Sequence, residues 1–309
     1  MLKKITETIK RSPRYLKLVY ALLALAAVWG LAFWLIPFIL GIFFNVLNLV
    51  VAAVFDNLAQ FMPAGRYFSF RAVFDAIPQI VERLPITLGL TIAGAFFGLL
   101  LALLFAVVKI NRVRIIYPIQ ALFVSFLRGT PILVQLMLTY YGIPLFLRYL
   151  NTVSELNWNI NAIPAAVFAI TAFAFNEAAY MSETIRAAIL AVDSGEIEAA
   201  RSLGMTSSQV YRRVIIPNAA VIATPSLINS LIGLTKGTSL AFSAGIVEMY
   251  AQAQILGGAD YRYFERYISV AIVYWAISIG IEYLGRLAER KMDIKAPANN
   301  QIPAEEGDR

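Results

Sequence analysis

Asp193-Ser194-Gly195-Glu196-Ile197-Glu198-Ala199-Ala200-Arg201-Ser202-Leu203-Gly204-Met205 is a polar stretch between two apolar tracts, Ala162–Val192 and Val214–Phe242. Gly195 is placed to stop the preceding helix, since glycine is the favoured residue just beyond a helix end. Glu196 and Glu198 then fall in the first turn of a new helix, where acids suit the positive end of the dipole. Small Ala199, Ala200 and Ser202 leave a surface that another protein can approach closely, and Gly204 closes the helix. Gln209 to Arg213 lead back to the apolar region, and Ile215-Ile216-Pro217 opens the next tract. Proline is tolerated in a first helical turn, where its missing N–H costs nothing. The stretch reads as a short helix lying across a membrane surface. A solvated loop between two spans is the simpler reading of its composition.

The rest of the chain supplies the membrane. Of 309 residues 60% are apolar and 15% charged, and the mean hydropathy is +0.70. A soluble domain runs about 45–50% apolar and about 25% charged. The balance excludes an ordinary cytosolic enzyme, a disordered chain and a nucleic-acid binder. With no Cys and no His, disulfides, thiolate catalysis and the commonest metal ligand are excluded too. A spanning helix needs about 20 mostly apolar residues. Besides the two tracts above, Tyr15–Phe55, Thr87–Val108, Tyr267–Leu287 and Ile115–Leu147 qualify, the last interrupted by Arg128, Gly129, Thr130 and Pro131. The first is one span plus an interfacial stretch, or two spans broken near Pro37 and Gly41. One crossing there lets the basic N-terminus, the Lys109–Arg114 turn and the Arg286–Lys295 tail share the cytoplasmic side, as excess Lys and Arg should. The Lys and Arg outside the spans then divide three to one in favour of the inside. This explains the net charge of +7 without nucleic acid and predicts about six spans with both termini cytoplasmic. Residues 1–55 form a basic N-terminus and an extra span, read as a retained anchor rather than a signal peptide, and 56–83 an amphipathic extracytoplasmic connection. Residues 84–292 form the core and 293–309 a disordered cytoplasmic tail.

Glu198-Ala199-Ala200, Gly204 and Ile215-Ile216-Pro217 together resemble the "EAA" signature of permease subunits of ABC importers. Phe126-Leu127-Arg128-Gly129-Thr130-Pro131 with Val134-Gln135-Leu136 resembles the second-helix motif of polar amino-acid permeases. Asn176, Ala179-Tyr180, Glu183 and Arg186 resemble the third-helix motif, and Leu234-Thr235-Lys236-Gly237-Thr238-Ser239-Leu240 the fourth. The resemblance covers roughly residues 80–292. It implies an all-α bundle of the type I importer (MetI-like) class, about five core helices plus the extra N-terminal one, in a bacterial cytoplasmic (inner) membrane. It implies a second permease subunit, the same chain or a sister. It also implies ATPase subunits that bind ATP and Mg, and an extracytoplasmic amino-acid-binding protein. The segment 196–208 would be the coupling helix seated in a groove of the ATPase, with Glu196, Glu198, Ala199, Ala200, Ser202 and Gly204 at the contact. At Gly237 the family usually has Asp, a loss that weakens arginine or lysine as substrate. At Glu196 it usually has Gln, so a basic residue is expected on the ATPase.

No G-x-x-x-x-G-K-[ST] run occurs, so the chain is a transport subunit rather than an enzyme and carries no cofactor of its own. Charged side chains inside a span are functional candidates by default. Arg128, Glu177, Glu183, Arg186, Lys236 and Glu282 are such residues. Arg186 at the inner surface reads more simply as snorkelling, and Glu282 as structural. Gly and hydroxyl residues around Lys236 can break the helix and open backbone groups to a cavity, as in transporters. A cavity between the third and fifth tracts would draw polar contacts from Thr130, Gln135, Asn176, Lys236, Thr238 and Ser239, with Arg128, Tyr180 and Glu183 along the pathway. Opines, dipeptides and sulfur amino acids are rival substrates. An ion-driven symporter and a channel are rival classes.

Overall fold

Apolar stretches without water must bond their backbone groups within the segment, and helices do this. A computed structural model describes residues 45–47, 49–51, 53–55, 68–154 and 157–292, and these contain helices and no β-strand. The order is α1 (Phe70–Val81), α2 (Leu84–Asn111), α3 (Ile116–Gly129), α4 (Ile132–Ser154), α5 (Ala165–Leu190), α6 (Ser194–Ser202), α7 (Ser207–Val210), α8 (Ile216–Gly237), α9 (Met249–Asp260) and α10 (Tyr263–Met292). A π turn, Tyr211–Ile215, joins α7 to α8, and a 3₁₀ turn, Thr238–Ala244, continues α8. Among the described residues five helices are long and apolar enough to cross a membrane: α2, α4, α5, the continuous run Ser207–Ala244, and α10. Most of the tract 15–55, the residues 56–67 and the tail 293–309 lie outside the described residues.

Two expectations need correction. The tract Ile115–Leu147 is divided where its sequence is interrupted, and its spanning part runs on beyond Leu147. It breaks at Thr130, whose backbone is extended, and Pro131, which biases the residue before it away from the helical region. The spanning helix is therefore α4, which continues past Leu147 to Ser154, and α3 with 14 residues is too short to cross. Gly195 does not end the preceding helix. α5 stops at Leu190, and Asp193 caps α6 by accepting from the Gly195 N–H at 2.8 Å. Pro217 stands in the first turn of α8, as expected, although the helical run begins earlier. Thr206 and Gln209 form a reciprocal cap that starts the helical run at Ser207. The π turn just ahead of Pro217 supplies the local slack that a proline inside a helix needs.

The centre of the bundle is the crossing of α2 and α5. Gly94, Gly98, Ala102 and Ala106 recur every fourth residue and are all buried. Such a small-residue ridge lets two membrane helices approach closely. A Cβ at Gly98 would stand 2.8 Å from the Cβ of Glu177 and 3.2 Å from the Ala174 carbonyl oxygen. Further along, Ala102 and Ala106 meet Met181 and Ile185. α1 is amphipathic, as the segment's pattern suggests. It buries Ala76, Ile77, Ile80 and Val81 against Met249 and Ala253 of α9 and Val270 and Val273 of α10. Leu47, Val51 and Phe55 of the short helix Asn45–Phe55 pack on the same cluster, and Phe55 stacks on Phe74 at 5.8 Å.

Candidate functional site

The surface helix α6 is held to the bundle by one side. Ala200 is buried in a cluster with Ala188, Val192, Val210 and Ile215. Glu196, Glu198, Ala199, Ser202 and Gly204 are exposed, and Gly204 takes the left-handed backbone (φ +76°) that closes the helix. Leu203, which sequence reasoning passed over, is 80% exposed beside them. Glu196, also exposed, accepts from Asn218 Nδ2, in the first turn of α8. The surface helix is thereby tied to the foot of the run that carries Lys236.

A polar cluster lies where α3 breaks into α4. Gln135 Nε2 donates to the Leu127 carbonyl (2.6 Å), the Thr130 carbonyl (3.0 Å) and Thr130 Oγ1 (3.0 Å). Its Oε1 accepts from Asn176 Nδ2 of α5 at 3.0 Å. Arg128 ends α3, exposed, with its guanidinium 5.6 Å from the Tyr180 ring centroid. The structure thus joins Thr130, Gln135 and Asn176 directly, with Arg128 and Tyr180 as a second pair on α3 and α5.

The fourth-helix motif divides between two surroundings. Lys236 and Ser239 line an open groove of about 700 Å³ with residues of α9 and α10. Thr238 is fully buried and donates to the Thr235 carbonyl at 2.7 Å. Glu183 sits apart from both the polar cluster and the groove. It takes Lys109 of α2 and Arg186, the latter at 3.0 Å, and so closes the end of the α2–α5 crossing. Glu282 pairs with Arg286 at 2.5 Å on an exposed face. Glu177 is buried, and its Oε2 has no hydrogen-bond partner among the described residues.

Sequence reasoning missed Glu248, which lies outside the apolar tracts it surveyed. It is fully buried and caps α9 by accepting from Ala251 N at 2.9 Å. Its Oε2 takes the Tyr274 hydroxyl at 2.7 Å and Thr87 Oγ1 at 3.4 Å. The signal available was an acid just ahead of a helical pattern, the usual place for a capping side chain. Burial pushes the Glu248 carboxyl above its ordinary value, although the hydrogen bonds it accepts pull the other way.

A spanning bundle with a small-residue surface helix between two spans agrees with the comparison that decides the family. The model of the binding-protein-dependent transport system inner membrane component matches residues 94–294. The chain belongs to this family. The probable amino-acid permease protein YxeN of Bacillus subtilis (strain 168) is 40% identical over 220 residues, 71% of this chain and 94% of its own. The probable amino-acid ABC transporter permease protein PatM of Vibrio harveyi is 37% identical over 226 residues, 73% and 97% respectively. A crystal structure of an amino acid ABC transporter with histidines superposes with a TM-score of 0.61 at 35% identity, over 72% of this chain and 99% of that one. This permease component is therefore a multi-pass inner-membrane protein with five candidate spans among its described residues. Its family implies ATPase, binding-protein and second-permease partners.

Proposed function

We propose that this permease component is the membrane subunit of an ATP-driven importer of polar amino acids delivered by an extracytoplasmic binding protein. A separate ATPase subunit hydrolyses ATP. The observation that carries the reading is α6: a capped nine-residue helix, exposed along Glu198, Ala199, Ser202 and Leu203, and anchored at Glu196 to the foot of a 38-residue helical run. The basic ends of α2 and α10 and the start of that run lie on the side we assign to the cytoplasm, together with both termini.

Nucleotide-driven closure of the ATPases would push α6 toward the bundle axis. The Glu196–Asn218 hydrogen bond and the buried Ala200 cluster pass that displacement to α8. α8 ends at Lys236-Gly237, where the helix narrows to a 3₁₀ turn. This is a rigid-body change between two packings, with no covalent step in this chain. The substrate pathway takes the polar cluster of Thr130, Gln135 and Asn176, the Arg128–Tyr180 pair, and Lys236 with Ser239. Thr238 supports the turn from inside, and Glu183 locks α2 to α5.

The chain has no cysteine, so Ser202→Cys provides a single thiol on α6. It is expressed with an ATPase that carries one thiol in its docking groove. The expected result is a disulfide in membranes that changes with nucleotide. Free labelling of that thiol from the cytoplasmic side without any crosslink would overturn ATP-driven coupling and bring the symporter and channel readings forward.

A further inference from the structure

Two packed groups of helices meet at Thr87. α2 and α5 are locked together by the small-residue crossing around Gly98. α1, α9 and α10 share the apolar cluster of Ile77, Ile80, Met249 and Val270. α2 passes from one group to the other: Leu84 packs in the α1–α9–α10 cluster, whereas Leu90 packs with Phe173 and Leu234. Thr87, fully buried, lies at the changeover, and there the seam is polar. Thr87 Oγ1 donates to Glu248 Oε2 at 3.4 Å and accepts from the Met249 N–H at 3.3 Å. The Tyr274 hydroxyl donates to the same carboxylate oxygen at 2.7 Å, and Oε1 accepts from the Ala251 N–H at 2.9 Å. No Lys or Arg pairs with Glu248 among the described residues. The carboxylate is thus held by one hydroxyl from α2, one from α10 and the first turn of α9. Tyr274 also meets the end of the Ser207–Ala244 run. It lines the open groove with Lys236 and Ser239, and its hydroxyl lies beside Thr238.

We propose that Glu248 is a positioning residue for transport, the pivot at which its carboxylate holds α2 and α10 in register while the Ser207–Ala244 run changes its lean. The pivot deepens the importer reading above and rests on it. A pivot has to lie where the moving groups meet, and Glu248 is bonded to both. It also has to be stiff. Apolar contacts are non-directional, so the cluster around Glu248 resists separation of the helices more than sliding between them. Hydrogen bonds to an ionised group are directional, short and about twice as strong as neutral ones. A buried carboxylate without a cation tolerates no lost donor, because an unfilled oxygen keeps its desolvation cost. Sliding of α2 against α10 is therefore opposed chiefly at this node. The foot of the run is tied to α6 through Glu196 and Asn218. With a stiff pivot at its head, a push on α6 becomes rotation of one helix group against the other. With a loose one, the push is lost as slip along the seam.

The test uses the full chain assembled with its ATPase subunits in proteoliposomes, with the binding protein and a radiolabelled mixture of L-amino acids. Uptake and ATP hydrolysis are measured on the same vesicles. Tyr274→Phe and Thr87→Val each delete one hydroxyl donor at nearly constant volume. Each should lower uptake per ATP hydrolysed by about tenfold, the order of one hydrogen bond to a charged group, while the ATPase rate holds. Thr87→Ser keeps the hydroxyl and should restore coupling. In Glu248→Gln, whose neutral amide accepts more weakly, Tyr274→Phe should cost far less than in the unaltered chain, because the two residues act as one unit. Unaltered uptake per ATP in both hydroxyl deletions overturns the pivot. So does a fall in uptake matched by an equal fall in ATPase activity or in assembled complex, which is what a merely structural role gives. If Tyr274→Phe does not assemble, Thr87→Val against Thr87→Ser decides, and equal uptake per ATP in those two overturns it. Normal coupling in the variants sinks only the pivot, whereas no ATP-driven uptake of any amino acid by the unaltered complex sinks the importer reading itself.

Discussion

Gly98→Ala tests the close crossing of α2 and α5. A methyl there would meet the Glu177 Cβ at 2.8 Å and the Ala174 carbonyl oxygen at 3.2 Å, both fixed by the backbone of α5. Neither can swing aside, so the helices must separate. Overpacking of this kind costs about 1–3 kcal/mol. The same change gains about 0.8–1 kcal/mol of helix propensity. The net is a loss of up to about 2 kcal/mol, or a fall in Tm of at most about 4–8 °C for a domain of this size. Gly89→Ala is the matched control on the same helix. Nothing lies within 4 Å of a Cβ there, so only the propensity gain of up to about 1 kcal/mol remains and Tm should hold or rise. Both Tm values are read by a fluorescence thermal ramp on the purified protein in one detergent. A Gly98→Ala protein as stable as Gly89→Ala would refute the close-packed crossing.

Asn218→Ala removes the donor to Glu196 while leaving the exposed face of α6 intact. In proteoliposomes the complex should keep its ATPase activity and lose most of its uptake per ATP hydrolysed. Glu183→Gln should lower Tm by a few degrees, since it leaves Lys109 and Arg186 without their shared acid, a loss of about 1 kcal/mol. Uptake per folded molecule should stay the same, whereas a substrate-pathway role for Glu183 would abolish it. Arg266 clasps the turn between α9 and α10 by donating to Asp260 and to the Ala72 carbonyl of α1. Desolvation opposes ionisation of Asp260, but the hydrogen bonds and charge of Arg266 and Arg262 win and hold its carboxyl below the usual range. The clasp is therefore present above the ordinary carboxylate value of about 3.9 and is lost as pH falls through the lower folded value. Arg266→Ala should lower Tm at pH 7, and its deficit should shrink as the pH is taken down to about 3.

The spans were largely legible because a membrane helix announces itself by length and apolarity alone. The errors fell where one residue decides the geometry. Arg128-Gly129-Thr130-Pro131 interrupts the apolar tract in the sequence, but only the extended backbone at Thr130 fixes where α3 gives way to α4. Gly195 looked like a stop signal, but Asp193 was the stronger local determinant because its carboxylate reaches the N–H two residues on. The fourth-helix motif located Lys236 and Ser239, yet Thr238 between them faces the core, since a helical turn separates neighbouring side chains by about 100°. Tyr250, Tyr267, Tyr274 and Trp275 carried no signal. Isolated aromatics in apolar helices read as lipid-facing until tertiary packing gathers them around one cation.

The run from Ser207 to Ala244 holds 38 residues. At about 1.5 Å per residue such a rod is nearly 60 Å long, while the hydrocarbon of a bilayer is about 30 Å thick. It must lean, or carry its ends well beyond the lipid tails. Two conformations that differ in the lean of this rod expose different lengths of apolar side chain to the lipid, so their relative free energy depends on acyl-chain length. The balance between the two states, and with it the turnover rate, is then partly set by the lipids around the protein. Reconstitution in short-chain and in long-chain phospholipids would displace that balance in opposite directions.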